Sequence, residues 1–340
     1  MIVTYIRSSS YNNYDYCQMQ YFITYVLGHR SPSGKKAQLG TIIHKVMECL
    51  AVCQKEVQDN DAKSLTVTDD GLGEIKFSRT KLKTKKFVNE LIDRSFEYYT
   101  TPCHHNYTNA DKKFCVDNTY LALEYRDGQF DPRKRKIVDA EPTFDLPIEE
   151  DWAKFEYDMP DGTKAQGQLA IKGTIDLVTE VSPGVIEVID WKTGRRLNWA
   201  TGEEKTYEKL LEDPQLLLYN YAISRLYAKD YDQAIMSIYY IRDGGPFSMC
   251  FDESDQKKFL EMLKNRFEQI KRNEWPQPCS RNRKSFKCTR LCHFHKTNWP
   301  GTNVSMCQHV EDHLQAFGHD ETVKRCTREG HNIGYYEAPG

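Results

Sequence analysis

Apolar residues recur at helical spacing early in the chain and at strand spacing in its middle. Ser8, Ser9 and Ser10 offer N-caps for a first helix that runs through YNNYDYCQMQYFITYVLG and stops at Gly28. After a Pro/Gly/Lys loop, Ile42, Val46, Cys49, Leu50, Cys53 and Val57 mark the buried face of a helix over 39–59. The polar stretch 59–73 predicts a loop or insertion, 81–99 a further helix, and 100–117 an irregular segment. The pattern then changes to strands at 137–146, 154–157, 166–180 and 185–191, separated by a DMPDG turn and an SPG hairpin connection. A helix over 208–228, a strand over 234–242, a turn over 243–246 and a helix over 253–272 follow. Beyond Trp275 there is little periodicity and much Pro, Cys, His and Arg. Helices, then a strand meander, then helix–strand–helix predict an α/β fold with a mixed central sheet flanked by helices.

Composition narrows the class. The 340 residues are 39% hydrophobic and 28% charged, enough for a sizeable core and too apolar for a disordered chain. Mean hydropathy is -0.71, and no apolar run approaches the ~20 residues that span a bilayer, so no membrane association is expected. MIVTYIRSSS lacks a charged-then-apolar leader, which predicts a cytoplasmic protein, or one in a host cytoplasm if viral. With eleven cysteines in a reducing compartment, a disulfide framework is not expected.

Net charge is -2, which excludes a wholly basic coat but not a local basic groove. Basic runs lie at 79–86 (RTKLKTKK), 133–136 (Arg133, Lys134, Arg135, Lys136), 192–196 (KTGRR, with Arg195 and Arg196) and 281–287 (RNRKSFK). Each alone reads as a solvated face; together they predict a phosphate-binding surface.

The chemistry concentrates in GTIDLVTEVSPGVIEVIDWKTGRR. Asp176 ends one strand, and the hairpin returns a second strand on which Val188 and Asp190 face one side and Ile189 and Trp191 the other. Lys192 shares the Asp190 face. Two carboxylates and an amine converging at strand ends suit a hard divalent cation such as Mg²⁺ that polarises a phosphoryl oxygen. Gln215 and Tyr219, four apart on one helix face, can look back over those strand ends. His44 lies off the apolar stripe of its helix and can add a ring nitrogen. No Gly-x4-Gly-Lys-Ser/Thr loop is present, so a motor would have to come from another protein.

His44, Glu141 in AEPTFDLPI, Gly173-Thr-Ile-Asp176, Ile189-Asp190-Trp191-Lys192-Thr-Gly194 and Gln215-x3-Tyr219, in this order, resemble the RecB-type branch of the PD-(D/E)XK nuclease superfamily. The resemblance spans about residues 8 to 295. It implies a restriction-endonuclease-like core with N-terminal helices and a Cys-rich C-terminal tail. The implied layout is a nuclease domain over 1–300, comprising a helical region over 1–130, a catalytic sheet core over 131–275 and a Cys-rich segment over 276–310, and a tail over 311–340. It implies a metal-dependent DNA nuclease using Mg²⁺ or Mn²⁺, an exonuclease for preference, acting on single strands or duplex ends in recombination, repair or replication, with a separate helicase or recombination protein as partner. Rival forms are a structure-specific endonuclease with the same site and an inactive DNA-binding subunit. Metal ligands would be His44, Asp176, Asp190 and the Trp191 carbonyl. Lys192 would be the catalytic lysine, Gln215 and Tyr219 would contact DNA or order the site, and Glu141 would support it.

Several members of this branch, phage-type exonucleases and CRISPR-associated nucleases among its compact relatives, join an early helix to the tail through a four-cysteine 4Fe–4S cluster. Cys17 falls where the first ligand would lie, and Cys279, Cys288, Cys292 and Cys307 offer the rest. Their spacing departs from the family's Cys-x2-Cys-x5-Cys, so an iron–sulfur set, a structural zinc set and metal-free thiols all stay open. Cys49 and Cys53 read as core. Cys103, His104, His105 and Cys115 resemble a metal site only in composition.

Overall fold

The structure, a computed structural model, describes residues 1–103, 105–159, 162–197 and 202–334. Its centre is a five-stranded mixed sheet in the order Gly245–Cys250, Gln233–Tyr240, Val185–Lys192, Leu177–Ser182, Lys136–Ala140. Val185–Lys192 is antiparallel to Leu177–Ser182 and parallel to Gln233–Tyr240. The parallel step needs a crossover, and helices Tyr207–Leu211 and Pro214–Leu226 supply it. A three-stranded sheet, Tyr5–Ile6, Ala170–Thr174 and Thr143–Pro147, continues from one end of the larger sheet.

Both faces of Val185–Lys192 are buried, so apolar side chains stand on each of them. Ile186 and Val188 join the core under the crossover helix. Ile189 and Trp191 join a second core built on helix Lys35–Asp59. The predicted alternation of Val188/Asp190 against Ile189/Trp191 thus places the strand between two layers of helices. Among the described residues no helix is long and apolar enough to cross a membrane.

Several boundaries differ from the sequence pattern. The polar stretch 59–73 contains half of a hairpin, Leu65–Asp69 with Gly73–Phe77, held by Leu65, Ile75 and Phe77 packing on the second core. The segment expected to be irregular carries helix Asn109–Glu124, opened by a Thr108/Asp111 capping box. The predicted 81–99 helix is a short turn, Arg79–Leu82, followed by Lys85–Thr100 with Thr84 as its cap. The predicted 208–228 helix breaks before Pro214, where Asp213 caps Gln215. The expected turn at 243–246 begins a strand, Gly245–Cys250. The aperiodic tail forms helix Met306–Cys326, whose Val310, Leu314 and Val323 enter the main core. That helix runs across the expected boundary at 310.

Most relevant to the site, 137–146 is two strands and not one. The chain leaves the large sheet after Lys136–Ala140 and enters the small sheet at Thr143–Pro147, turning at Glu141 with φ 49°. Beside it, the chain passes from Ala170–Thr174 to Leu177–Ser182 through Asp176, and the Glu141 N–H donates to the Asp176 carbonyl at 3.1 Å. Two strands thus change sheets side by side at the strand ends that carry Glu141 and Asp176.

Candidate active site

Asp176, at this crossing, turns its carboxylate toward the neighbouring strand and accepts the Trp191 N–H at 2.7 Å through Oδ2. Its Oδ1 lies 3.4 Å from His44 Nδ1. His44 arrives from the opposite layer on helix Lys35–Asp59. That helix can come close because residue 40 is glycine: a Cβ there would lie 2.7 Å from the Thr193 hydroxyl, directly beyond Lys192.

Asp190 and Lys192 share the other face of the strand, as the alternation requires, and Lys192 Nζ stands 2.6 Å from Asp190 Oδ2. Gln215 Nε2 donates to Asp190 Oδ1 at 2.9 Å and to the Tyr219 hydroxyl at 2.9 Å. The Tyr219 hydroxyl donates in turn to the Thr174 carbonyl at 2.8 Å. Tyr219 is buried, its ring edge-on to Phe144. Phe144 itself lies over Gly173, where a Cβ would meet the ring at 2.4 Å. Gly173-Thr-Ile-Asp therefore has a steric reason for its glycine.

Gln215 and Tyr219 are thus tied to Asp190 and to the Thr174 carbonyl, and the Tyr219 side chain is buried.

Charges at the site are strongly coupled. Burial raises Asp190 to about 6, with Asp176 adding to the effect and Lys192 opposing it. Burial pushes Asp176 the same way, but His44, Lys192 and the Trp191 N–H outweigh it and hold this carboxyl below its ordinary value. Lys192 is raised: burial works against its charge, and Asp190 and Asp176 overcome that.

A second acidic pair lies beyond Asp176. Glu48, one turn after His44 on the same helix, is raised by burial despite its ion pair with Lys45 at 2.6 Å. Glu141 is raised to about 7 by burial, then by Glu48 and Asp176. Lys45 also pairs with Asp69 of the unpredicted hairpin at 3.0 Å. Glu141 thus joins the site as a sheet-crossing residue. Glu48 was missed, although its four-residue spacing from His44 was a legible signal; the adjacent apolar stripe masked it.

The residues fit a divalent ion. Asp190 Oδ2 and Glu48 Oε2 are both buried and accept no aligned hydrogen bond, although each touches a lysine. With Asp176 and the His44 ring they form the oxygen-rich, partly nitrogenous donor set that Mg²⁺ or Mn²⁺ takes.

The tail also converges on the N-terminal helices. Cys17, Cys279, Cys288, Cys292 and Cys307 line one small pocket with Tyr16 and His295. Cys279 and Cys288 Sγ are 3.4 Å apart, and the Cys17 Sγ accepts the Gln20 N–H at 3.4 Å. Burial and the neighbouring thiols raise Cys279 to about 12 and Cys292 to about 11. Of the other cysteine–histidine group, Cys115 is buried against the Leu39 carbonyl, Cys103 and Cys115 both lie near Tyr107, His105 faces the Ser33 carbonyl, and His104 lies outside the described residues; among the described residues no three of them meet at ligand distance.

The basic runs behave differently from expectation. Arg133 is held by Asp131, and Arg135 is half-buried against Glu187 and Thr179. Lys134 donates to the Asp127 carbonyl and Lys136 pairs with Glu180 at 2.7 Å. The RKRK run is thus largely engaged within the fold, and its two arginines are not open to phosphates. Arg196 pairs with Glu204 and stacks on Phe247, whereas Arg195 is exposed three residues after Lys192. Arg283 pairs with Glu311.

Residues 8–297 match the sequence profile of the PD-(D/E)XK nuclease superfamily. The chain belongs to this superfamily. It is a nuclease fold, and the family implies a phosphodiester hydrolase that generally uses Mg²⁺ or Mn²⁺. Among solved structures, it is similar to a candidate exonuclease from Eubacterium rectale, with 12% identity and a TM-score of 0.45, covering 87% of this chain and 88% of that one. No curated protein matches it in sequence.

Proposed function

We propose that this nuclease is a metal-dependent DNA exonuclease, working on single strands or duplex ends. The observation that carries the reading is the meeting of three groups at the strand ends: Asp176 accepts the N–H of Trp191, between Asp190 and Lys192, and Lys192 Nζ stands 2.6 Å from Asp190 Oδ2. Asp176, Asp190 and His44 would hold the ion, with the Trp191 carbonyl as a further ligand. When bound, the ion polarises the phosphoryl group and lowers the pKa of a coordinated water. Lys192, kept protonated by two carboxylates, offsets the charge that grows on the phosphate. Gln215 holds Asp190 in orientation, and Tyr219 anchors Gln215 to the Thr174 carbonyl. Arg195 supplies a phosphate contact beside the site. The exonuclease form rests on the RecB-type resemblance.

The test is digestion of end-labelled linear and closed circular DNA, single- and double-stranded, with Mg²⁺, Mn²⁺ or chelator. Loss of label from linear ends with circles left intact is expected. Cutting of circles would replace the exonuclease with the endonuclease reading, and DNA binding without cleavage in either metal would favour the inactive subunit.

We further infer that the five-thiol pocket holds an iron–sulfur cluster joining the N-terminal helices to the tail. The supporting observation is that thiols distant in sequence meet in one buried pocket where a backbone N–H already faces a sulfur. Broad visible absorption and about four irons per chain are expected from an anaerobic preparation. A colourless protein carrying zinc would assign the pocket to a zinc set, and one carrying neither metal would leave free thiols.

A further inference from the structure

Helix Met306–Cys326 breaks at Gly318, where φ is 78° and ψ -179°. Its second arm folds back and ends at Cys326, facing the first. His309 and His313, four apart on the first arm, share one face. One ligand atom from each histidine and the Cys326 Sγ all lie within 4.8 Å of one another. Cys326 is fully buried.

This group is distinct from the thiol pocket. Cys307 lines that pocket, and His309 follows it by two residues, about 200° around the helix.

The side chains are prepared for a ligand. His313 Nδ1 lies 3.0 Å from the His309 carbonyl. A carbonyl only accepts, so Nδ1 is the donor and Nε2 is the nitrogen left for a ligand. Such an outer hydrogen bond is how proteins fix the tautomer of a metal-binding histidine. The His309 ring is stacked on Trp299, with centroids 4.4 Å apart and planes 10° from parallel, which fixes its orientation.

We propose that His309, His313 and Cys326 form a structural site for a borderline-soft divalent metal, with Zn²⁺ the preferred ion. Two imidazoles and a thiolate suit zinc and exclude Mg²⁺, which takes oxygen ligands. Binding releases the Cys326 proton.

The site has a mechanical purpose. The end of the second arm holds residues 27–29: the Arg328 N–H donates to the Leu27 carbonyl at 2.8 Å, Arg328 Nε to the Gly28 carbonyl at 2.8 Å, and a His29 ring nitrogen meets the Cys326 carbonyl at 2.7 Å. A metal bridging the arms would lock the fold-back that carries these contacts.

The experiment measures zinc and iron per chain by elemental analysis in the full-length protein, after saturation with Zn²⁺ and removal of excess. Wild type is compared with His313→Gln, His309→Gln/His313→Gln and Cys326→Ser. The variants are expected to carry about one zinc fewer than wild type at unchanged iron content. Wild type should melt several degrees higher with Zn²⁺ than after chelation, whereas His313→Gln should show no such zinc-dependent shift. His313→Gln alters a half-buried side chain and keeps the test open if Cys326→Ser misfolds. Equal zinc in wild type and His313→Gln, or an identical zinc-dependent shift in both, would overturn the proposal. Parallel iron values separate its failure from any failure of the thiol pocket.

Discussion

Strand Val185–Lys192 carries two buried acids, each beside a cation, and they differ in what is left unsatisfied. Glu187 faces the second core. Its Oε2 pairs with Arg135, its Oε1 accepts from Ser237 at 2.5 Å, and Arg135 binds Thr179 as well. Every strong donor is matched. Asp190 faces the crossover helix at the end of the strand; Oδ1 is held by Gln215, while Oδ2 touches Lys192 without an aligned hydrogen bond. A closed ion pair fixes strands to one another. In the proposed reading, the other pair, with Asp176 and His44 beside it, would hold an ion from solution.

The largest effect expected is on cleavage at the open pair. Lys192→Ala and Asp190→Asn should each lower the single-turnover rate by roughly 10³-fold or more, as losses of charge-stabilising groups do. Both should still bind end-labelled DNA and melt within a few degrees of wild type. If Asp190→Asn instead unfolds the protein while a folded fraction cleaves normally, Asp190 is as structural as Glu187 and the contrast fails.

Next comes the closed pair. Glu187→Gln or Arg135→Met strands one charge in a buried setting, and breaking such a pair costs about 3–5 kcal/mol. Urea denaturation should reveal that loss, and the cleavage rate per folded molecule should stay close to wild type. A large fall in cleavage at full stability would move Arg135 from the fold to the substrate.

The open pair was readable from the sequence because its determinants are local. A strand alternates faces, a hairpin pairs neighbours, and Asp190-x-Lys192 must share a side. The mixed sheet and flanking helices followed from the order of periodicities, and superfamily membership agrees with the motif order. The closed pair was not readable. Arg133 to Lys136 looks like a solvated run, and nothing nearby in sequence announces that Glu187 and Thr179 will hold Arg135. Non-local pairing also explains Glu141, whose strand breaks only because the chain changes sheets there. The hairpin over 65–77 is local, but its largely polar strands are held by packing on the core of the flanking helices. The C-terminal helix was obscured by its mixture of His, Asp and Gln with few apolar residues. It is stabilised by packing into the main core rather than by its own pattern.

A smaller effect is expected from the residue that orients the open pair. Gln215→Leu removes the hydrogen bond to Asp190 Oδ1 and should weaken Mg²⁺ or the cleavage rate about 10–100-fold, the range for groups that orient metal ligands. The apparent Mg²⁺ requirement should rise, while affinity for DNA measured in Ca²⁺ should not change.

Tyr219→Phe is the mildest test and the most discriminating one for the helix Pro214–Leu226. The hydroxyl receives from Gln215 and donates to the Thr174 carbonyl, so its loss leaves a backbone acceptor and a side-chain amide short of one partner each. About 1–3 kcal/mol of stability is at stake for buried groups of this kind, while the ring and its edge-on contact with Phe144 remain. Asp190 keeps its bond to Gln215, so cleavage should fall only several-fold, and the loss should shrink at saturating Mg²⁺. An ordering hydroxyl leaves the Kd for DNA untouched. A hydroxyl that binds phosphate would raise that Kd and leave the Mg²⁺ dependence alone, and such a result would place the substrate against Tyr219 despite its burial.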